Sequence, residues 1–227
     1  MKDFEYIQPE TVEAATAALA TKENADWATA KARVFGGGQD LLGEMKTGLE
    51  EPSALVNVKW IQGLGGVTQA DGGNLKFGAT TKLRALEGLF SSGAFQVLSE
   101  AAKTIGSPQI RTQATLAGNL CQRPRCLYYR RPEAKCLKKG GDECFAYGGY
   151  NKFNAILGGG PSYIVHPSDM GPALMALDAQ IEISDSKGTT EMALDDFFTL
   201  PSDGDVTREN VLRPDQVVIS LRTGLDT

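Results

Sequence analysis

A chain of 227 residues with 41% hydrophobic side chains is long enough to bury a core, as one large domain or two small ones. Its formal charge of −5 excludes a general attraction to nucleic-acid backbones or anionic lipid. The amino terminus, MKDFEYIQPE, has neither the apolar stretch of a secretory signal nor that of a membrane span. The expected address is therefore the cytoplasm, with periplasmic export alongside a partner subunit as the alternative, and neither nucleic acid nor membrane insertion is expected.

Residues 11–20, TVEAATAALA, predict a helix capped by Thr11, with Glu13 in the first turn where a carboxylate suits the helix dipole. Arg33, Val34 and Phe35 read as a short strand feeding Gly36, Gly37, Gly38, Gln39 and Asp40, and a helix begins at Leu41. Strands follow at 54–58 and 75–79, then helices at 82–89 and 96–105, the second ending at Gly106, Ser107 and Pro108. Thr115, Leu116, Ala117, Gly118 and Asn119 read as a second loop. Residues 121–150 are rich in Arg, Lys, Gly and Cys without an apolar period, which predicts a mobile, irregular insert. Pro167, Ser168 and Asp169 then open a buried helix over 170–177, and strands follow at 180–184 and 217–221. The pattern is mixed α and β.

Three consecutive glycines let a backbone approach a ligand and turn its N–H groups toward phosphate oxygens, although a plain turn has the same composition. The loop matches neither the Rossmann nor the P-loop spacing. All four cysteines, Cys121, Cys126, Cys136 and Cys144, fall in the insert, separated by four, nine and seven residues. Thiolates suit zinc or iron–sulfur, but paired C-x-x-C knuckles are absent and the spacing leaves the metal open. The intervening lysines and arginines offset thiolate charge, or simply solvate a basic loop. The lone histidine, His166, beside Pro167, reads as a wall or structural residue, and no acid–base pair stands out.

Gly36-Gly37-Gly38-Gln39-Asp40-Leu41-Leu42, Ser107-Pro108-Gln109-Ile110-Arg111, Thr115-Leu116-Ala117-Gly118-Asn119-Leu120 and Pro167-Ser168-Asp169-Met170 occur in order along nearly the whole chain. In these segments the sequence resembles the FAD-binding subunit of the xanthine dehydrogenase and carbon monoxide dehydrogenase family. The resemblance implies an α+β fold of two FAD-binding subdomains, of the PCMH and vanillyl-alcohol-oxidase type, at 1–57 and 58–227. The second carries the cysteine insert at about 121–150, and the family's carboxy-terminal domain is expected to be absent. It implies that Gly36, Gly37, Gly38, Gln39 and Asp40, with the segment from Thr115 through Gly118 to Asn119, wrap the FAD pyrophosphate, and that Phe35 and Leu41 also contact the cofactor. Gly78, Ala79, Thr80, Gly106, Ser107 and Asp169 would lie along the rest of the cofactor, with Asp169 on ribityl hydroxyls. One departure is Ala117, where the family usually has a glycine.

The insert resembles that of 4-hydroxybenzoyl-CoA reductase and periplasmic aldehyde oxidoreductase flavoprotein subunits, which implies a [4Fe–4S] cluster on the four cysteines, with zinc as the alternative. The implied function is an oxidoreductase subunit relaying electrons through FAD. Its implied partners are a large molybdenum-cofactor subunit, a small subunit with two [2Fe–2S] clusters, and a ferredoxin-like or other external acceptor or donor. The rival readings are a zinc-stabilised, non-catalytic assembly module and a stand-alone flavin oxidoreductase.

Overall fold

The computed structural model describes residues 1–21, 24–27, 30–158 and 160–224. A small parallel sheet forms first, from β1 (Glu5–Ile7), β2 (Ala32–Phe35) and β3 (Ala54–Asn57) in the order β1-β3-β2. Parallel neighbours require crossovers. α1 (Val12–Leu19) lies between β1 and β2, and α2 (Leu41–Thr47) between β2 and β3. The Thr11 hydroxyl accepts the Ala14 N–H and starts α1, whose Ala15 and Leu19, one turn apart, bury against Val56 and Val58.

The larger sheet is antiparallel, in the order β4-β5-β8-β6-β7, from β4 (Val67–Gln69), β5 (Leu75–Gly78), β6 (Gln180–Asp185), β7 (Gly188–Ala193) and β8 (Val217–Arg222). Its core packs Phe77, Ile181 and Leu221 against α3 (Leu83–Leu86), α4 (Gln96–Thr104), α6 (Leu116–Leu120) and α7 (Met170–Met175). The short α5 (Pro108–Gln113) lies beside α3, and α8 (Leu194–Phe197) follows β7. Leu86, Leu98, Leu116, Leu120 and Leu174 are fully buried, and each such side chain contributes about 1.5–3 kcal/mol by leaving water. α1 packs on β6 and β8 as well as on its own sheet, and Val217 of β8 enters the core beneath the small sheet. The two sheets are thereby joined.

The structure departs from the sequence reading in three places. Residues 115–119 are not a loop: the Thr115 hydroxyl caps α6, and Leu116 and Leu120 bury at helical spacing. The helix expected over 82–89 is regular only over Leu83–Leu86, because it ends before the Gly88 turn. The insert has little regular structure beyond one 3-10 turn at Leu137–Lys139, yet it is packed rather than solvated, with Tyr129, Cys136, Lys138 and Ala146 all buried. Among the described residues, no helix is long and apolar enough to cross a membrane.

Candidate functional site

The glycine loop leaves β2 after Phe35 and enters α2 at Leu41. Gly38 has φ +71°, a left-handed conformation suited to glycine, and a Cβ there would stand 2.6 Å from the Phe35 ring. A Cβ on Gly37 would meet the Gln113 carbonyl at the end of α5, so the loop and that helix lie backbone against backbone. Among the described residues, the backbone N–H groups of Gly36, Gly37, Gly38, Gln39 and Asp40 donate to no protein acceptor. A run of free N–H groups on a glycine turn is a ready anion cradle.

The loop edges a cleft of about 700 Å3 that runs between the small sheet, α6 and the insert. Ala79, Leu83, Ala117 and Val218 supply an apolar wall. The charged lining is unbalanced toward cations: Lys31, Arg33, Arg123, Arg125, Lys138, Lys139, Arg208 and Arg213 face Asp40, Glu44, Glu50 and Glu51. Such a cleft suits a large, partly apolar ligand that carries negative charge.

The insert closes one side of the cleft and is bolted to the glycine loop. Asp40 accepts the Arg123 backbone N–H at 2.7 Å and the Arg130 guanidinium at 2.8 Å, and pairs with Arg125 at 3.2 Å. Behind it, Glu44 on α2 is buried and lies 3.3 Å from Arg130. Burial, with the neighbouring Asp40 charge second, pushes Glu44 up to about 8 against the pull of Arg130. The buried Tyr129 ring is ringed by Arg123, Arg130 and Lys139, and its hydroxyl accepts Arg123 Nε–H at 2.8 Å. On the far side Glu209 receives both Arg123 and the buried Lys138 ammonium, the latter at 2.7 Å. Five of the basic residues between the cysteines, Arg123, Arg125, Arg130, Lys138 and Lys139, therefore serve protein carboxylates or one aromatic ring, a role that sequence composition did not reveal.

Of the residues expected around a cofactor, Phe35, Gly36, Gly37, Gly38, Gln39, Asp40, Leu41, Ala79, Thr80, Thr115, Gly118 and Asn119 all line this cleft. Four do not. Gly78 is packed inside β5 against the Leu64 carbonyl. Gly106 and Ser107 form the turn and cap that start α5, and their neighbours Ile105 and Ile110 reach the cleft instead. Asp169 is exposed at the start of α7, while Ser168 Oγ–H and the Met170 N–H donate to the Asn119 side-chain Oδ1 at 2.7 and 3.2 Å. The motif around Asp169 thus acts by fixing Asn119. In α6 the N–H groups of Leu116, Ala117 and Gly118 are taken by Thr81, Ala79 and Thr115, so that segment offers side chains and a close surface rather than free amides. Trp27, Tyr129 and Arg208 were not anticipated in the lining.

His166 lies off the cleft lining, with its ring edge on Phe198 and its Nδ1 accepting the Ser168 N–H at 3.3 Å. Burial, reinforced by Lys138, lowers it to about 4, as befits a neutral structural residue.

The four cysteines are all free thiols. Cys121 ends α6 and faces the cleft, where burial pushes its thiol up to about 12. Cys126 receives the Asn154 side-chain N–H at 3.7 Å. Burial raises Cys136, while the Lys139 ammonium and the backbone N–H groups of Lys138 and Lys139 pull the other way. Cys144 borders a second, open hollow lined by Tyr128, Phe145, Tyr147 and Tyr163. Among the described residues, no three His, Cys, Asp or Glu side chains converge as ligands of a single metal ion, the arrangement that a closed tetrahedral zinc site demands.

Residues 2–222 match the family model for the FAD-binding domain in molybdopterin dehydrogenase. The FAD-binding subunit PaoB of an aldehyde oxidoreductase from Escherichia coli (strain K12) is 34% identical over 97% of this chain and 68% of its own length. The FAD subunit of nicotinate dehydrogenase from Eubacterium barkeri is 26% identical over 96% of this chain and 57% of its own. Among solved structures, a carbon monoxide dehydrogenase from Hydrogenophaga pseudoflava superposes with a TM-score of 0.64 at 22% identity, covering 98% of this chain and 59% of that one. Quinoline 2-oxidoreductase from Pseudomonas putida 86 gives 0.64 at 18%, over 98% and 60%. The chain thus spans less than two thirds of three of these four relatives, and the two solved structures establish the fold alone. With the glycine loop, the cationic cleft and the family match in agreement, the chain belongs to the FAD-binding domains of the molybdopterin dehydrogenases.

Proposed function

We propose that this chain holds FAD in the cleft and relays electrons within a multi-subunit molybdenum hydroxylase-type oxidoreductase. The observation that carries the reading is the run of free N–H groups from Gly36 to Asp40 at the rim of a cation-rich cleft, the complement of a pyrophosphate dianion. Bound flavin supplies the chemistry that couples two-electron and one-electron partners. The chain's own residues hold and orient it: the glycine loop takes the phosphates, Thr80, Thr115 and Asn119 offer polar contacts along the wall, and Tyr129 with its arginines screens one side from water. Division near residue 57 into two FAD-binding subdomains of the PCMH type belongs to the same reading.

The second part of the reading is a [4Fe–4S] cluster on Cys121, Cys126, Cys136 and Cys144. It is supported by soft thiol donors on one packed insert, by the cation and N–H groups around Cys136, and by the amide directed at Cys126. The raised Cys121 thiol has to release its proton on binding, which couples loading to pH. A large molybdenum subunit and a small two-[2Fe–2S] subunit are the partners this reading requires, with a ferredoxin-like or other carrier outside.

The test is an anaerobic visible spectrum of the purified chain, with FAD, iron, zinc and acid-labile sulfide assayed on the same sample. Stoichiometric FAD with about four irons per chain supports both parts. FAD with zinc and no iron removes the cluster and leaves the flavin, and a colourless protein overturns the whole reading.

A further inference from the structure

We propose that Arg125 of the cysteine insert is a side-chain clamp on the pyrophosphate of the bound dinucleotide, acting beside the glycine loop; this rests on the reading of the cleft as the FAD site. Four cations of the insert line the cleft, Arg123, Arg125, Lys138 and Lys139. Three of them are committed to protein groups. Arg123 gives its side chain to the Tyr129 hydroxyl, Glu209 and the Thr207 carbonyl. Lys138 is buried on Glu209 and the Arg208 carbonyl, and Lys139 sits on the Tyr128 and Arg131 carbonyls. Arg125 is held more loosely: its side chain is 57% exposed, with one terminal nitrogen 3.2 Å from Asp40 and the other donating to Gln122 Oε1 at 2.9 Å.

Those two contacts set where the guanidinium lies. Asp40 closes the glycine loop and Gln122 follows the end of α6, so Arg125 spans the gap between the loop and the segment 115–119, both of which line the cleft. Gln122 is buried, and its side-chain N–H groups donate to the Asn119 and Pro167 carbonyls, each at 3.0 Å. Its Oε1 is thereby fixed as the acceptor that aims Arg125.

Asp40 does not depend on this arginine. Its Oδ2 accepts the Arg123 N–H at 2.7 Å and its Oδ1 the Arg130 guanidinium at 2.8 Å, both closer than Arg125. An ion pair made by so exposed a side chain adds little to stability. What the contact does is hold a planar, permanently charged fork beside the N–H groups of Gly36 to Asp40, which among the described residues have no protein acceptor. The two devices complement each other, because backbone amides give direction while a guanidinium takes two phosphate oxygens at once with full charge. On binding, Arg125 exchanges the longest of the Asp40 contacts for phosphate oxygens, and Asp40 keeps the other two. Riboflavin, which has no phosphate, gains nothing from the clamp.

The experiment titrates FAD and riboflavin into the flavin-stripped full chain at low and at high salt, followed by flavin fluorescence. Arg125→Gln removes the charge, Arg125→Lys keeps it without the fork, and Arg131→Gln removes an exposed insert arginine outside the cleft lining. Limited proteolysis of the insert is run on each. For Arg125→Gln the expected result is FAD binding weakened about 10-fold, with part of its salt dependence lost. Arg125→Lys recovers part of the affinity, Arg131→Gln behaves as the parent, and riboflavin binding and proteolysis are unchanged throughout. FAD affinity equal to the parent's in Arg125→Gln overturns the proposal. So does a loss that keeps the parent's salt dependence, a loss shared equally by riboflavin with faster cutting of the insert, or an equal loss in Arg131→Gln. A parent chain that takes up neither flavin overturns the FAD reading itself, and the clamp falls with it.

Discussion

The Asp40 carboxylate, at the end of the glycine loop, and the Arg130 guanidinium, inside the cysteine insert, meet at 2.8 Å across 90 residues of sequence. Arg123 and Arg125 converge on the same carboxylate. The shape of the anion cradle is therefore set in part by the insert, since α2 and the loop before it are pinned through Asp40. Asp40→Ala leaves three arginines without their shared anchor and loosens both partners. We expect FAD affinity to fall about 10-fold or more, equivalent to ~1.4 kcal/mol, and the insert to be cut faster in limited proteolysis. Normal FAD content with unchanged proteolysis refutes the linkage.

Two glycines within three positions of Asp40 make opposite predictions. Gly38→Ala forces an L-residue into φ +71° with its methyl 2.6 Å from the Phe35 ring. The left-handed conformation alone costs about 1–2 kcal/mol, and relief of the clash shifts the loop, so FAD binding is expected to fall with stability. Gly43 lies within α2, and a Cβ there meets nothing within 4 Å. Gly43→Ala is expected to stabilise the chain by about 0.5–1 kcal/mol with FAD binding intact. Denaturant midpoints and flavin titration on the pair check both signs.

The raised Glu44 carboxyl gives the chain an unusual pH response. Its value of about 8 in the folded state, against 4.5 for the ordinary group, means that the folded protein holds a proton the unfolded chain has released between those limits. Stability falls wherever the native state binds more protons as pH rises, so this group's contribution declines from pH 4.5 to 8. Glu44→Gln keeps the shape and removes the titration. It is expected to be more stable than the parent at pH 8.5 by about 1–3 kcal/mol, with the gap closing toward pH 5. Parallel unfolding curves at the two pH values refute the assignment.

The glycine loop, the flanking strand and helix, and α1 and α7 were legible in sequence because each rests on local signals: consecutive glycines, the Thr11 cap, apolar residues at helical spacing. β1, with its three residues EYI, and the largely exposed β7, GTTEMA, carry no apolar alternation and are held by their neighbours in the sheets. Residues 115–119 read as a turn because Gly118 and Asn119 are turn formers, yet burial of Leu116 and Leu120 overrides that preference. Asp169 is exposed while its neighbours Ser168 and Met170 bond to the Asn119 side chain, an arrangement that side-chain direction at a helix start keeps out of sight in sequence. The insert's arginines find Asp40, Glu44 and Glu209 over long separations, and no local pattern announces such pairs.

The last prediction concerns the wall formed by α5. Arg111 grips Glu87 of the α3 turn with two contacts, Nε–H at 2.9 Å and a terminal N–H at 3.2 Å, and donates to the Ile105 carbonyl at 2.8 Å. These hydrogen bonds, seconded by Arg84, hold the Glu87 carboxyl down at about 2. A depressed carboxyl contributes stability that is complete above its ordinary value of 4.5 and is lost as pH falls toward 2. Arg111→Met keeps the buried stem but returns Glu87 toward its ordinary range, so acid unfolding is expected to begin at a higher pH than in the parent. Because the same grip positions Ile105, Ile110 and Ala114 along the cleft, flavin affinity is expected to weaken severalfold even at pH 7, where the fold survives. Acid titration followed by circular dichroism, with FAD fluorescence on the same samples, separates the two effects. An unchanged acid midpoint shows that the Arg111–Glu87 pair is not what stabilises the fold at low pH, and a shifted midpoint with normal FAD affinity confines its role to folding.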